Sequence, residues 1–287
     1  MKHHTVDIGG LKVGANFPPR IMSVINLSPE SFYRDSIVDN GEQLVKVING
    51  MEQDGADIID VGGASSAPRG VYGTPEVTAE VELERVTSNL EHIVRNTKVR
   101  VSIDTVHSEV AEAAIDIGAS LVNDVSGLNR GNRMAKLVAD RGVPIVLMAD
   151  SGNSCQTLKA SFRSIERSIR TALSVGIPQE KIIIDPGIGF GKPSEVDLEI
   201  IRELDRFCIL GHPVLVGVSR KAFIGDLLNQ PDPSMRLLGT IASTSIAVAN
   251  GADLIRTHDV KESKIAAKVG KALRRVSAKS ESQERAE

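Results

Sequence analysis

Polar side chains with useful chemistry recur along this chain wherever a short apolar run ends. They are Asn26, Asp60 ahead of Gly62-Gly63-Ala64-Ser65-Ser66, Asp104, Asn123-Asp124, Asp150 just beyond Met148, Asp185, Ser219-Arg220-Lys221, and Arg256 with His258-Asp259. The set divides by charge. Asp104, Asn123 and Asp185 offer donors and acceptors for an uncharged, hydrogen-bonding heterocycle, whereas Arg220, Lys221, Arg256 and His258 suit a phosphate or pyrophosphate. Each residue taken alone also has a plainer reading, as a helix cap or a surface ion pair. Taken together, they describe a two-sided site.

The loop Asp185-Pro-Gly-Ile-Gly-Phe-Gly-Lys192 invites a nucleotide reading and fails it. A P-loop needs Ser or Thr after its Lys, but Pro193 follows Lys192, and the G-x-G-x-x-G spacing is absent. Three glycines with one aromatic suggest backbone passing close to a flat ligand, with Phe190 as a wall. A plain turn is the other reading.

The elements that must position these residues are eight strand–helix units. The strands read as Ile21–Asn26, Asp57–Val61, Val99–Asp104, Leu121–Asp124, Pro144–Met148, Lys181–Asp185, Val214–Val218 and Leu254–His258. Helical stretches follow each. One, Pro75–Val94, carries Val81, Val86, Leu90 and Ile93 at helical spacing, and another, Ser108–Ile117, starts at a cap-like Ser108 and stops at Gly118. Alternating units of this kind give an α/β fold, and eight fit a single-domain (β/α)8 TIM barrel, in which strand ends carry the catalytic groups. Thr5–Gly14 reads as an N-terminal hairpin around Gly9-Gly10, a lid over one end of the barrel. Residues 1–276 are expected to form the barrel and 277–287 a polar, disordered tail.

The 287 residues include 41% hydrophobic and 25% charged side chains, with eight aromatics and no Trp. The formal charge is −3, and no basic block extends beyond Lys271–Arg275, which argues against a nucleic-acid partner. No apolar stretch is long enough for a membrane span and the start lacks a signal-peptide core, so a cytoplasmic protein is expected. Cys155 and Cys208 lack metal-site or disulfide-framework spacing.

Several ordered segments together resemble dihydropteroate synthase: IMSVINLSPESF, GADIIDVGG, VSIDT, LVNDVSG, KIIIDPGIGFGKP, PVLVGVSRKAFIG and GADLIRTHDV. The resemblance runs from about Ile21 to Arg274. It implies a barrel that joins 6-hydroxymethyl-7,8-dihydropterin pyrophosphate to p-aminobenzoate with Mg2+, releasing pyrophosphate, and a homodimer. It further implies Asp104 and Lys221 as catalytic groups. The pterin would meet Asp104, Asn123, Met148, Asp185, Gly189, Phe190 and Lys221. Pyrophosphate would meet Asn26, Ser66, Arg256 and His258, with Asn26 also at the metal. The arylamine would meet Ser66, Arg69, Ser219 and Arg220. Asp60 is read as structural.

The departures from the family pattern fall on the first two loops. The usual N-x-T-P-D-S-F-S-D-G-G is N-L-S-P-E-S-F-Y-R-D-S here, with Glu30, Tyr33 and Arg34, and G-E-S-T-R-P-G is G-A-S-S-A-P-R, which moves the loop arginine to Arg69. These loops belong to the arylamine side, so a ribosylated aminobenzene phosphate is an alternative acceptor to p-aminobenzoate. Two rival functions share the fold: a pterin-dependent methyltransferase acting on a corrinoid protein, and a non-catalytic pterin-binding paralogue. The cationic residues at strands seven and eight argue against the methyltransferase, whose chemistry has no pyrophosphate to bind.

Overall fold

The structure is a computed structural model that describes residues 3–28, 41–65, 77–149 and 155–274. A hairpin opens it, β1 (Val6–Ile8) antiparallel to β2 (Leu11–Val13), turning at Gly9-Gly10. Both turn residues have positive φ, +57° and +96°, as a tight two-residue hairpin requires.

Eight parallel strands follow: β3 (Arg20–Asn26), β4 (Ile58–Gly62), β5 (Arg100–Asp104), β6 (Leu121–Asp124), β7 (Ile145–Met148), β8 (Ile182–Asp185), β9 (Leu215–Val216) and β10 (Leu254–Thr257). Their order is β8-β7-β6-β5-β4-β3-β10-β9, and a parallel bridge from Ile184 to Val214 joins the two ends. The (β/α)8 barrel is therefore closed. Strand bounds match the sequence reading to within one residue in seven of the eight strands. The seventh strand is the exception: it is only two residues long, because the chain turns away at Val218–Lys221, where the Lys221 N–H meets the Val218 carbonyl.

The inward faces follow from the two-residue period of a strand. Met22, Ile58, Leu121, Val146, Ile183, Leu215 and Leu254 form one apolar layer with the hairpin residues Val6, Ile8 and Val13. The hairpin thus plugs the end where the strands begin. Two residues further along β4, β6, β7, β8 and β10, the same inward face carries Asp60, Asn123, Met148, Asp185 and Arg256. Asp104 joins them because it lies in register with Asn123. The outward faces pack under the helices in the larger core, which includes Ile25, Ile59, Val61, Ile103, Ile145 and Ile184.

The helices within the described residues are α1 (Gly41–Asp54), α2 (Ala79–Asn96), α3 (Ser108–Ile117), α4 (Asn132–Arg141), α5 (Leu158–Ser174), α6 (Ser194–Arg202), α7 (Asp205–Cys208), α8 (Ala222–Leu228), α9 (Leu237–Ala249) and α10 (Val260–Leu273). Two details correct the sequence reading. Helix α2 starts four residues later than expected, capped by Thr78, whose hydroxyl accepts the Val81 N–H at 3.4 Å. Its buried face is Glu82, Val86, Leu90 and Ile93, while Val81 is 41% exposed. Helix α3 has the expected bounds, but His107 occupies the cap position without a side-chain bond and Ser108 is already helical. The expected tail, 277–287, lies outside the described residues.

Candidate active site

The floor of the site is an ion-paired cluster at the barrel centre. Arg256 donates from Nε to Asp60 Oδ2 and from Nη2 to Asp104 Oδ2, both at 2.7 Å. Asn123 Nδ2 donates to the same Asp60 oxygen at 3.1 Å. Burial opposes the Arg256 charge, but Asp60 and Asp104 outweigh it and hold its pKa above the ordinary guanidinium value. Among the described residues, two carboxylates bracket this one guanidinium. Asp60, read from the sequence as structural, is fully buried and bonds both Arg256 and Asn123.

Above the floor is a cavity of about 430 Å³, counting its open mouth. One wall presents Asn123, Val125 and Asp185, and the other presents Ser219, Lys221, Arg256 and His258, with Phe190 at the rim. Burial pushes the Asp185 carboxyl above its usual range, and the Gly187 N–H bonds it at 2.7 Å. Lys221 Nζ lies 4.5 Å from the centre of the Phe190 ring, within cation–π range, and donates to the Ile188 carbonyl. Burial lowers its pKa to about 8, with Asp185 and Asp197 acting in the opposite sense.

The glycine loop is held by two residues that the sequence reading missed. Asp197, buried at the start of α6, accepts the Gly189 N–H at 2.9 Å, and Lys192 Nζ donates to the Gly187 carbonyl at 2.6 Å. Burial pushes the Asp197 carboxyl up to about 6. The signal for Asp197 was faint, one of two acidic residues, with Glu195, in the first turn of a helix. Gly189 itself has φ +75°, and a Cβ there would stand 2.4 Å from Lys221 Cδ, so glycine is needed both for the turn and for the passage of Lys221.

The Ser219-Arg220-Lys221 turn gives its three residues different tasks. Arg220 has φ +56°, unusual for a side chain with a Cβ, and is fixed on every side. Its guanidinium forks onto Asp259 at 2.7 and 3.0 Å and donates to the carbonyls of Pro233 and Ser234, while its N–H meets Thr240 Oγ1 at 2.9 Å. The Arg236 guanidinium donates to the Arg220 carbonyl at 3.0 Å. Arg220 is absent from the cavity lining among the described residues. It anchors the turn that aims Ser219 and Lys221 into the cavity.

His258 also differs from its reading as a cation. Ser219 Oγ accepts the His258 backbone N–H at 3.2 Å and shares a second hydrogen bond with His258 Nδ1, 2.9 Å away. Burial, then Arg256, Arg220 and Lys221, lowers the His258 pKa to about 3. At neutral pH it offers a hydrogen-bond donor, not a positive charge. Asn26 ends β3 in register with Gly62, half-buried. Met148 pairs in register with Asp185 and is buried beside the cavity without lining it. Glu30, Tyr33, Arg34, Ser66, Arg69 and Asp150 lie outside the described residues.

Residues 22–258 match the family profile of the pterin binding enzymes. The chain belongs to this family. Among its relatives is the dihydropteroate synthase of Clostridium beijerinckii, 40% identical over 252 residues, which span 87% of this chain and 92% of the relative. The dihydropteroate synthase of Bacillus subtilis is 36% identical over 244 residues, 84% of each chain. A solved structure of dihydropteroate synthase from Xanthomonas albilineans with 4-aminobenzoic acid superposes with a TM-score of 0.84 at 34% identity, covering 96% of this chain and 100% of that one. The same enzyme in complex with 7,8-dihydropteroate gives 0.81 at 33% identity, covering 95% and 100%. Within the family, then, this chain groups with the synthases, which are transferases, and the methyltransferase reading is set aside.

Proposed function

We propose that the protein joins 6-hydroxymethyl-7,8-dihydropterin pyrophosphate to p-aminobenzoate, forming 7,8-dihydropteroate and releasing pyrophosphate. The observation that carries this reading is the pair of carboxylates that bracket Arg256 at the floor, set between a wall suited to a heterocycle and a cationic wall. In the reaction the bond between the pterin methylene carbon and a pyrophosphate oxygen breaks, and its electron pair leaves with the pyrophosphate. The methylene carbon becomes cationic. The arylamine nitrogen then forms the new C–N bond with its lone pair and releases a proton to solvent.

Each step has a residue suited to it. Asp104, held in place by Arg256, stabilises the cation through a carboxylate whose orientation is set before the charge develops. Asp185 and Asn123 bind the pyrimidine edge of the pterin, where a carboxylate can accept two N–H groups side by side. Phe190 and Lys221 shape the rest of that pocket, Gly189 makes room for Lys221, and Met148 packs beside it. Arg256, the neutral His258 ring and Asn26 receive the pyrophosphate, and Ser219 the arylamine carboxylate. Ser66 and Arg69 retain their expected roles at the pyrophosphate and arylamine ends, outside the described residues.

Mg2+ belongs to this reading through the leaving group. Among the described residues no three His, Cys, Asp or Glu side chains gather into a metal cage. That donor set fits an ion held chiefly by phosphate oxygens, with the Asn26 amide oxygen as a protein ligand. When bound, Mg2+ would offset the charge of the departing pyrophosphate.

A homodimer is also proposed. Leu238 and Ile246 on α9 and Ile265, Val269 and Leu273 on α10 are exposed at one-turn or two-turn spacing, and the two helices pack together. An apolar surface of this kind suits a second copy of the chain.

A pyrophosphate-release assay tests the function. With pterin pyrophosphate and Mg2+, release is expected to depend on p-aminobenzoate. Release only with its ribosyl phosphate derivative would move the protein to that acceptor, and no amine-dependent release with either would overturn the proposal.

A further inference from the structure

The buried face of α2 starts with a carboxyl. Glu82 is 2% exposed and continues into Val86, Leu90 and Ile93. An acidic group in an apolar seam is costly unless it is well partnered, so its contacts indicate why it is there. On one side lies the root of the loop that follows β4. A Cβ on Gly63 would stand 3.0 Å from both Glu82 Cγ and the Glu82 carbonyl oxygen, and Arg85, one turn along α2, donates to the Gly63 carbonyl at 3.1 Å. On the other side lies the turn after β5. The Thr105 hydroxyl accepts the His107 N–H at 3.1 Å, which directs its own hydrogen to the Glu82 carboxyl. His107 Nε2 is 3.8 Å from Glu82 Oε2. Thr105 directly follows Asp104, and its N–H bonds the Asn123 carbonyl at 3.2 Å.

We propose that Glu82 is a positioning residue for the condensation, a buried carboxyl that braces the root of the loop after β4 against the strand end carrying Asp104. The inference rests on the synthase reading above. Glu82 touches neither the cavity lining nor Arg256 among the described residues, so it acts through Thr105 and Gly63. The charged groups around it are Asp104 at the end of β5, His107 in the turn, Glu109 at the start of α3, and Arg85 on its own helix. Burial first, then Asp104 and Glu109, push its carboxyl up to about 7, against Thr105 and Arg85. Glu82 therefore ionises within the working pH range, and its anionic form accepts the Thr105 hydroxyl and attracts His107.

The test compares wild type with Glu82→Gln, which keeps the side-chain size and an oxygen for Thr105 but cannot titrate. Dihydropteroate formation is followed from pH 6 to 9, with pterin affinity measured in parallel. The wild-type kcat is expected to rise through an inflection near pH 7 that the Gln variant lacks. The variant should have kcat lower by about tenfold at pH 8, the scale of a small misplacement at the reacting centre. Its affinity for pterin should stay within about twofold, since a factor that small is well under 1 kcal/mol and Asn123, Asp185 and Lys221 are untouched. A variant with the wild-type kcat and pH profile would overturn the role, as would an equal loss of pterin affinity and kcat. A wild type that binds pterin but forms no dihydropteroate would overturn the synthase reading itself, and this role with it.

Discussion

Arg256 sits between two carboxylates, and the chemistry of the site depends on that placement. Its guanidinium fills the space between Asp60 and Asp104 with two 2.7 Å bonds, which fixes the orientation of the Asp104 carboxylate. Removing Asp60 leaves a largely desolvated cation with one partner fewer. Asp60→Ala is therefore expected to cost about 3 kcal/mol of stability, the lower end for breaking a buried pair because Arg256 keeps Asp104, and thermal melting checks this. Lys221 sets a second expectation. With a pKa near 8 it is cationic at neutral pH and loses its charge as pH rises through 8, so kcat/KM for the pterin pyrophosphate should fall along that limb. A pH–rate profile of Lys221→Met should lack it. Asp104, Asn123 and Asp185 were readable from the sequence because each is polar at the end of an apolar run. The neutral state of His258 was not, since it arises from burial first and then from Arg256, Arg220 and Lys221, brought together by the fold.

The loop Asp185–Lys192 and the turn Ser219–Lys221 face each other across the site and must be built together. Gly189 is where they touch. Gly189→Ala places a methyl group 2.4 Å from Lys221 Cδ on a backbone at φ +75°. The left-handed conformation alone costs roughly 1–2 kcal/mol. If that appears in binding, the KM for the pterin pyrophosphate rises by about tenfold, and steady-state kinetics would detect it. The alternation of glycines in this loop was legible as close backbone approach. Its fixing by Asp197 and Lys192, like the anchoring of Arg220 by Asp259, Thr240 and Arg236, depends on residues distant in sequence. Helix α2 shows a different limit. Hydrophobicity selected Val81 as the inward residue, but the 3.6-residue period set by Val86, Leu90 and Ile93 selects Glu82.

The whole barrel separates stability from chemistry along its axis. The hairpin and the first inward layer make one end apolar and closed, and the next inward residues of β4, β6, β8 and β10 make the other end polar. That division was legible, because eight apolar runs with polar ends is a pattern within the sequence. Closure was only inferable, since the contact that seals the sheet, Ile184 with Val214, is no more than an isolated bridge beside a two-residue strand. The outer surface carries its own expectation. Leu238 is 78% exposed within the apolar row on α9 and α10, so Leu238→Glu should convert a dimer to a monomer in sedimentation velocity.

The central claim, that a preoriented carboxylate stabilises a pterin cation, is tested most directly by Asp104→Asn. This variant keeps the shape of the side chain and removes its charge. Single-turnover measurement of dihydropteroate formation should show the chemical step slowed by about 10²–10³, as for loss of one preorganised electrostatic group, with pterin pyrophosphate affinity changed far less. A variant that forms dihydropteroate at the wild-type rate would contradict the account.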